Sequence, residues 1–363
     1  MAINEGTLLW KPSQEIKEQA NLTRYMHWLA REKGLHLAEN EELWAWSVEH
    51  LEDFWASMWE YLDIKASRPY TTVLTNATMP DVHWFVGAEL NYAEHVFRNC
   101  TSERPALIAQ SETRPLTEIS WDELARKVAS VAAALRSMGV KRGDRVVNYM
   151  PNIPETTIAF LATASLGAIW SSCAPEFGTQ SVIDRFQQIE PKVLFTVDGY
   201  RYNGKLIDRR DIITELQAAL PTLSTTVILP YAFDDTRAES YRNAVLWQDI
   251  ANGEHELIFE QVPFEHPLWV LYSSGTTGLP KAIVQGHGGI VMEHLKQLLL
   301  SLDLRAEDRF FWYSTTGWMM WNLLIGGLLA GVTVLLYDGS PAYPNMHVLW
   351  EFAELTLMTV FGT

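Results

Sequence analysis

The sequence predicts an α/β protein of stacked α/β subdomains, and three observations predict it. From residue 120 to residue 198, helix-like and strand-like segments alternate, the pattern of parallel strand–helix–strand units. The alternation resumes at Leu268 and runs to the end of the chain. Residues 1–95 lack it and read as a Trp-rich helical segment. The chain therefore divides into residues 1–95, a first α/β subdomain at 96–250 and the start of a second at 251–363. The Asp-, Glu-, Asn- and Pro-rich stretch 231–265 is expected to be the seam.

The individual elements follow from local chemistry. "NEELWAWSVEHLEDFWASMWEYL" (residues 40–62) repeats Leu43, Trp46, Leu51, Phe54, Trp55, Met58 and Leu62 at helical spacing, so these side chains are packing material. The segment is expected to pack across both subdomains. "SWDELARKVASVAAALRSMG" (120–139) has Ser120 as N-cap and Glu123 at the capping-box position. Leu124, Val128, Val131, Leu135 and Met138 share one face, and Gly139 is the stop. Strands are expected at "RVVNYM" (145–150), "AIWSS" (168–172) and "KVLFTVD" (192–198), with helices at 154–167 and 181–190. After Leu268 come a strand, a glycine loop, a second strand and a helix at 290–302. Strands at 309–314, 332–337 and 357–361 then alternate with helices at 321–330 and 345–355.

Composition narrows the function. The 363 residues are 48% hydrophobic and 20% charged, which suits a soluble globular protein with a large core. A formal charge of −16 without a Lys/Arg run excludes nucleic acid and anionic lipid as partners and leaves small molecules, so an anionic ligand must be held locally. Cys100 and Cys173 are the only cysteines and no paired metal-ligand spacing occurs, which favours a reducing, cytoplasmic setting and nominates no metal ligand. The N-terminus shows no secretory pattern. Residues 310–337 carry no charge, but Gly317, Gly326, Gly327 and Gly331 interrupt them. A buried helix followed by the β-branched strand is expected there, not a membrane span.

"LYSSGTTGLPKAIVQGHGGI" (271–290) carries the chemistry. Backbone N–H groups near Gly275 and Gly278, the hydroxyls of Ser273, Ser274, Thr276 and Thr277, and the charge of Lys281 form a donor set that suits phosphate oxygens. The stretch matches neither G-x-x-x-x-G-K-[ST] nor G-x-G-x-x-G. Composition leaves two readings open, a phosphate cradle and an exposed surface hairpin.

"YSSGTTGLPK" (272–281) closely resembles the phosphate-binding signature of the adenylate-forming superfamily, which includes acyl-CoA synthetases. "DVHWFVGAELNYAEHVF" (81–97) resembles the N-terminal segment of its short-chain acyl-CoA synthetases. "LWKPSQEIKEQANLTRYMHWL" (9–29) and "YSTTGWMMWN" (313–322) are most similar to the branch that activates acetoacetate. The resemblance implies an ATP-dependent acid–thiol ligase using ATP, Mg²⁺ and coenzyme A, in which Lys281 acts catalytically on the nucleotide phosphates and residues 274–280 are mobile without nucleotide. It implies Trp318, Met319 and Met320 as acyl-pocket residues, with ordinary core as the alternative. Arg201 and Lys205 become candidates for the phosphates of coenzyme A, or else solvated surface, and His287 becomes a wall near the reacting carboxylate. The family's acidic metal motif, ribose-binding aspartate, hinge and C-terminal lysine fall beyond a point matching Thr363. The sequence is thus expected to be the N-terminal part of a longer enzyme, inactive and prone to self-association alone. The alternatives are a ligase for acetate or propionate and a noncatalytic nucleotide-binding module.

Overall fold

A computed structural model describes residues 6–76, 78–274 and 278–363. The helix Trp121–Ser137 forms as its sequence demands. Ser120 Oγ accepts from Glu123 N at 3.1 Å, Leu124, Val128, Val131 and Leu135 are buried, and Gly139 turns the chain at φ +79°, a left-handed value that glycine adopts without a Cβ penalty.

Two sheets organise the rest. The larger has seven strands in the order Ala244–Leu246, Thr225–Leu229, Val193–Val197, Arg145–Tyr149, Ile169–Cys173, Pro267–Ser273 and Lys281–Gly286. All neighbours are parallel except the last pair, an antiparallel hairpin. The smaller has five, in the order Val360–Gly362, Arg309–Trp312, Thr333–Asp338, Leu107–Ser111 and Thr117–Ile119.

This topology corrects the expected division at residues 250/251. Strands Leu107–Ser111 and Thr117–Ile119 belong with the strands near the C-terminus, and the hairpin that follows the 231–265 stretch rejoins the larger sheet. Alternating patterns identify strands but not their neighbours, and a long crossover is as compatible with the sequence as a short one. The stretch 231–265 is also not wholly irregular, because Ala244–Leu246 pairs in parallel with Thr225–Leu229.

The sheets share one core. It joins Val146, Phe195 and Trp269 to Leu107, Phe310 and Val334, and the helix Pro154–Ser165 is buried at every residue from Thr156 onward. The N-terminal helices add Tyr25, Leu29 and Met58 to this core. They dock on the helix His287–Lys296 and its continuation: Asn21 Nδ2 donates to Leu299 O at 3.1 Å, and Lys296 Nζ lies 5.5 Å from the Trp55 ring centroid. Trp59 stacks on Phe85 at 4.7 Å, whereas Trp44 is 66% exposed. Residues 310–337 form strand, short helix and strand, and no helix among the described residues is long and apolar enough to cross a membrane.

Candidate active site

The carboxyl ends of the parallel strands of both sheets open onto one cleft, where α/β proteins place ligands because successive loops converge there. Asn152 follows the strand Arg145–Tyr149, Glu176 follows Ile169–Cys173, and Thr315 and Thr316 follow Arg309–Trp312; Asp338 ends its own strand. Polar ties fix these loops to each other. Thr316 Oγ1 donates to Met150 O at 2.8 Å, and Trp321 Nε1 donates to Asn152 Oδ1 at 3.0 Å.

Asp338 is the most perturbed acid of the cleft. Burial pushes its carboxyl up to about 7, reinforced by Glu176 and Glu112 and opposed by the bond from Tyr231 Oη at 2.8 Å. A carboxyl raised from its unfolded value binds its proton more readily in the fold, so stability falls as pH rises from about 4 to 7 and is then level. Asp338→Asn keeps an acceptor for Tyr231 and removes that dependence. It is expected to raise stability at pH 8 by on the order of 1–2 kcal/mol and to leave it nearly unchanged at pH 4, as urea midpoints at the two pH values would report. An equal gain at both would contradict the assignment.

The glycine loop closes the edge hairpin of the larger sheet. Ser273 pairs with Lys281 across the stem, and two bonds tie both stems to the helix Thr179–Phe186 and the turn after it. Tyr272 Oη donates to Arg185 O at 2.6 Å, and Gln188 Nε2 donates to Pro280 O at 3.0 Å. Gly275, Thr276 and Thr277 lie outside the described residues, so the phosphate cradle and its expected mobility are not described there. Ser274, Gly278 and Lys281 are exposed, and Lys281 has no ion-pair partner among the described residues.

Arg201 and Lys205 come together on a second hairpin, Gly199–Tyr202 paired with Lys205–Asp208. Asn203 and Gly204 form its two-residue turn with φ +53° and +72°, the Asn-Gly combination that a tight hairpin with two positive φ values favours. The register places Lys205 opposite Tyr202 and Arg201 opposite Leu206. Lys205 therefore shares a face with the cleft-lining Tyr202, and Arg201 occupies the other face.

The acyl candidates are brought together in part. Met319 and Met320 line a cavity of about 400 Å³ together with Gln285, His294 and Asn322, while Trp318 is not among its walls and is 53% exposed. The cavity wall is thus polar as well as thioether. His294 is buried, and burial pushes its imidazole down to about 4, so at neutral pH it is uncharged and can serve an oxo group as a neutral donor. Its position on the helix His287–Lys296 gives no signal in the sequence, because a single histidine among apolar residues reads as core.

His287 is placed away from both cavities. It is wholly buried, its Nδ1 accepts from Tyr92 N at 3.1 Å, and burial followed by His266, His95 and Arg142 pushes it down to about 3. Its side chain is not among those lining either cavity.

Comparison with known proteins fits the arrangement of loop, cleft and hairpin. The AMP-binding enzyme family matches residues 94–363, and the acetyl-coenzyme A synthetase N-terminus matches residues 40–96. The chain belongs to the AMP-binding enzyme family. Within it, the chain is 41% identical to an acetoacetyl-CoA synthetase of Danio rerio and 42% identical to one of Rhizobium meliloti, covering 99% and 98% of this chain. The solved acetoacetyl-CoA synthetase of Streptomyces lividans superposes with a TM-score of 0.94 at 51% identity over 98% of this chain. This member of the AMP-binding family is thus a homologue of acetoacetyl-CoA synthetases. It spans about 55% of the length of the relatives it matches.

Proposed function

We propose that the chain supplies the ATP-handling part of an acid–CoA ligase whose acid is acetoacetate. The observation that carries this reading is the conjunction of the Ser273–Lys281 hairpin with a cleft at the carboxyl ends of two sheets, in a chain 51% identical to the Streptomyces lividans synthetase. In the first step the acid's carboxylate oxygen attacks the α-phosphorus of ATP, forming acyl-adenylate and releasing pyrophosphate. In the second the thiol of coenzyme A attacks the acyl carbon, loses its proton and expels AMP. Loop donors and Lys281 stabilise the charge that gathers on departing pyrophosphate. Met319, Met320 and His294 face the acyl chain; Lys205 on the cleft face of its hairpin and Arg201 on the opposite face are the two cations offered to the separate phosphates of coenzyme A. Among the described residues no cluster of three metal-ligating side chains occurs, and Asp338 is committed to Tyr231. These residues do not build a site for Mg²⁺, which on this reading travels with the nucleotide. The free thiols of Cys100 and Cys173 fit a cytoplasmic setting.

A protein of these 363 residues alone is expected to form acetoacetyl-CoA at least a hundredfold more slowly than the Streptomyces lividans enzyme, because loss of even one preorganised contact to the transition state costs about that much. It is also expected to self-associate. Ile283 and Val284 on the edge strand are 45% and 57% exposed, and Trp350, Leu355 and Leu357 are each more than 60% exposed, surfaces that invite edge pairing and apolar contact. Thioester assays and size-exclusion chromatography decide both points. Comparable turnover, or a monomer at high micromolar concentration, would contradict them.

A further inference from the structure

The hairpin with Arg201 and Lys205 stands clear of both sheets: its two strands pair only with each other. Such a ribbon is marginal by itself, so something else must hold it at the cleft. Glu112, one residue beyond the strand Leu107–Ser111 of the smaller sheet, meets that need. Its Oε1 accepts from Asn203 N at 2.8 Å and its Oε2 from Gly204 N at 2.8 Å, the two turn amides. Oε1 also accepts from Ser340 N at 2.8 Å, just past the strand Thr333–Asp338, and Glu112 N donates to Asp338 O at 3.1 Å.

One carboxylate thus joins the turn of a hairpin that grows out of the larger sheet to two strand ends of the smaller sheet. Carboxylate bonds to N–H groups are stronger than neutral ones, and three amides on one group set the turn's position as well as its stability. The fit is close on both sides. A Cβ on Gly339 would come 2.7 Å from Glu112 Cγ, and a Cβ on Gly204 would come 2.7 Å from the Tyr343 ring. The turn is gripped between Glu112 and Tyr343, with Tyr202 and Lys205 flanking it on the cleft side.

We propose that Glu112 is a positioning residue for coenzyme A: by holding the Asn203–Gly204 turn it fixes where the hairpin presents Lys205 on its cleft face and Arg201 on its other face to the cofactor's phosphates. This rests on the reading of Arg201 and Lys205 given above. The sign of the effect separates positioning from simple electrostatics. A carboxylate near bound phosphates repels them, so its removal would tighten binding if charge alone mattered. Positioning requires the opposite, weaker binding.

The test uses the chain as it stands. Glu112→Ala is expected to speed amide hydrogen exchange in peptides covering 199–208 and 339–343 at least tenfold while the rest of the protein keeps its protection, and to weaken coenzyme A binding, measured by calorimetry, by about tenfold. Glu112→Gln, which keeps one acceptor oxygen, is expected to fall between. In an Arg201→Ala/Lys205→Ala background the Glu112→Ala change is expected to add no further loss, since coupled residues are not additive. Unchanged exchange at the hairpin, tighter binding by Glu112→Ala, or a full additional loss in the background lacking the cations would each overturn the proposal. If the parent chain binds no coenzyme A, the reading of Arg201 and Lys205 fails and takes the cofactor role with it; the exchange measurement still decides whether Glu112 holds the turn.

Discussion

Lys281→Ala is expected to slow acetoacetate-dependent exchange of pyrophosphate into ATP by about a hundredfold to a thousandfold, the cost of removing one preorganised charge from a transition state. The protein to assay is a chimera joining residues 1–363 to the matching C-terminal part of the Streptomyces lividans synthetase. Lys281 opens the outer strand of an edge hairpin, exposed and without an ion-pair partner among the described residues, so the same change should leave the melting temperature within about a degree or two. Lys281→Arg keeps the charge on a different shape and should recover part of the rate. A variant that exchanges as fast as its parent would remove Lys281 from the chemistry, and one that fails to fold would make it structural.

Acid is expected to unfold the chain well above the carboxylate range. His95, His287 and His294 are buried, and burial pushes them to about 4, 3 and 4 from an ordinary value of 6.5. Each is neutral in the fold and protonated in the unfolded chain between those limits. The unfolded state therefore binds more protons there, and stability is lost as pH falls from about 6.5 towards 4. Asp338 and Glu176, both raised by burial, work against this, while His266, lowered by burial, adds to it, so the histidines outweigh the acids. Each tenfold difference in proton affinity between the folded and unfolded chain is worth about 1.4 kcal/mol, so the net loss is on the order of several kcal/mol, a large part of a typical domain's stability. Urea titrations followed by tryptophan fluorescence should give a much lower midpoint at pH 4.5 than at pH 7. Equal midpoints would show that the three imidazoles are not held neutral.

The secondary structure was legible because each element has a local cause: Ser120 and Gly139 bracket a helix, and uncharged apolar runs such as residues 332–337 form buried strands. Strand partners were not, since the hydrophobic run Pro267–Ser273 would suit either sheet, and only the folded chain pairs it with Ile169–Cys173. The site divides the same way. Lys281 and the Ser273–Ser274 hydroxyls sit in a contiguous signature. Asn203–Gly204 is a hairpin signal flanked by strand-forming residues, but a turn signal does not say which part of the fold will hold the turn. Glu112 and His294 reach their partners across more than 90 residues and from a neighbouring helix respectively, distances over which spacing carries no information. His287 shows the converse: a position beside a signature motif is no guide to where its side chain points once a strand has turned into a helix.

The most direct measurement is the acid dependence of pyrophosphate exchange by the chimera, with acetoacetate, acetate, propionate and no acid compared at equal concentration. Exchange is expected to require an acid and to be at least tenfold faster with acetoacetate than with the others, an advantage that shrinks in the His294→Leu variant. Exchange that proceeds without acid, or that favours acetate or propionate, would contradict the proposed function.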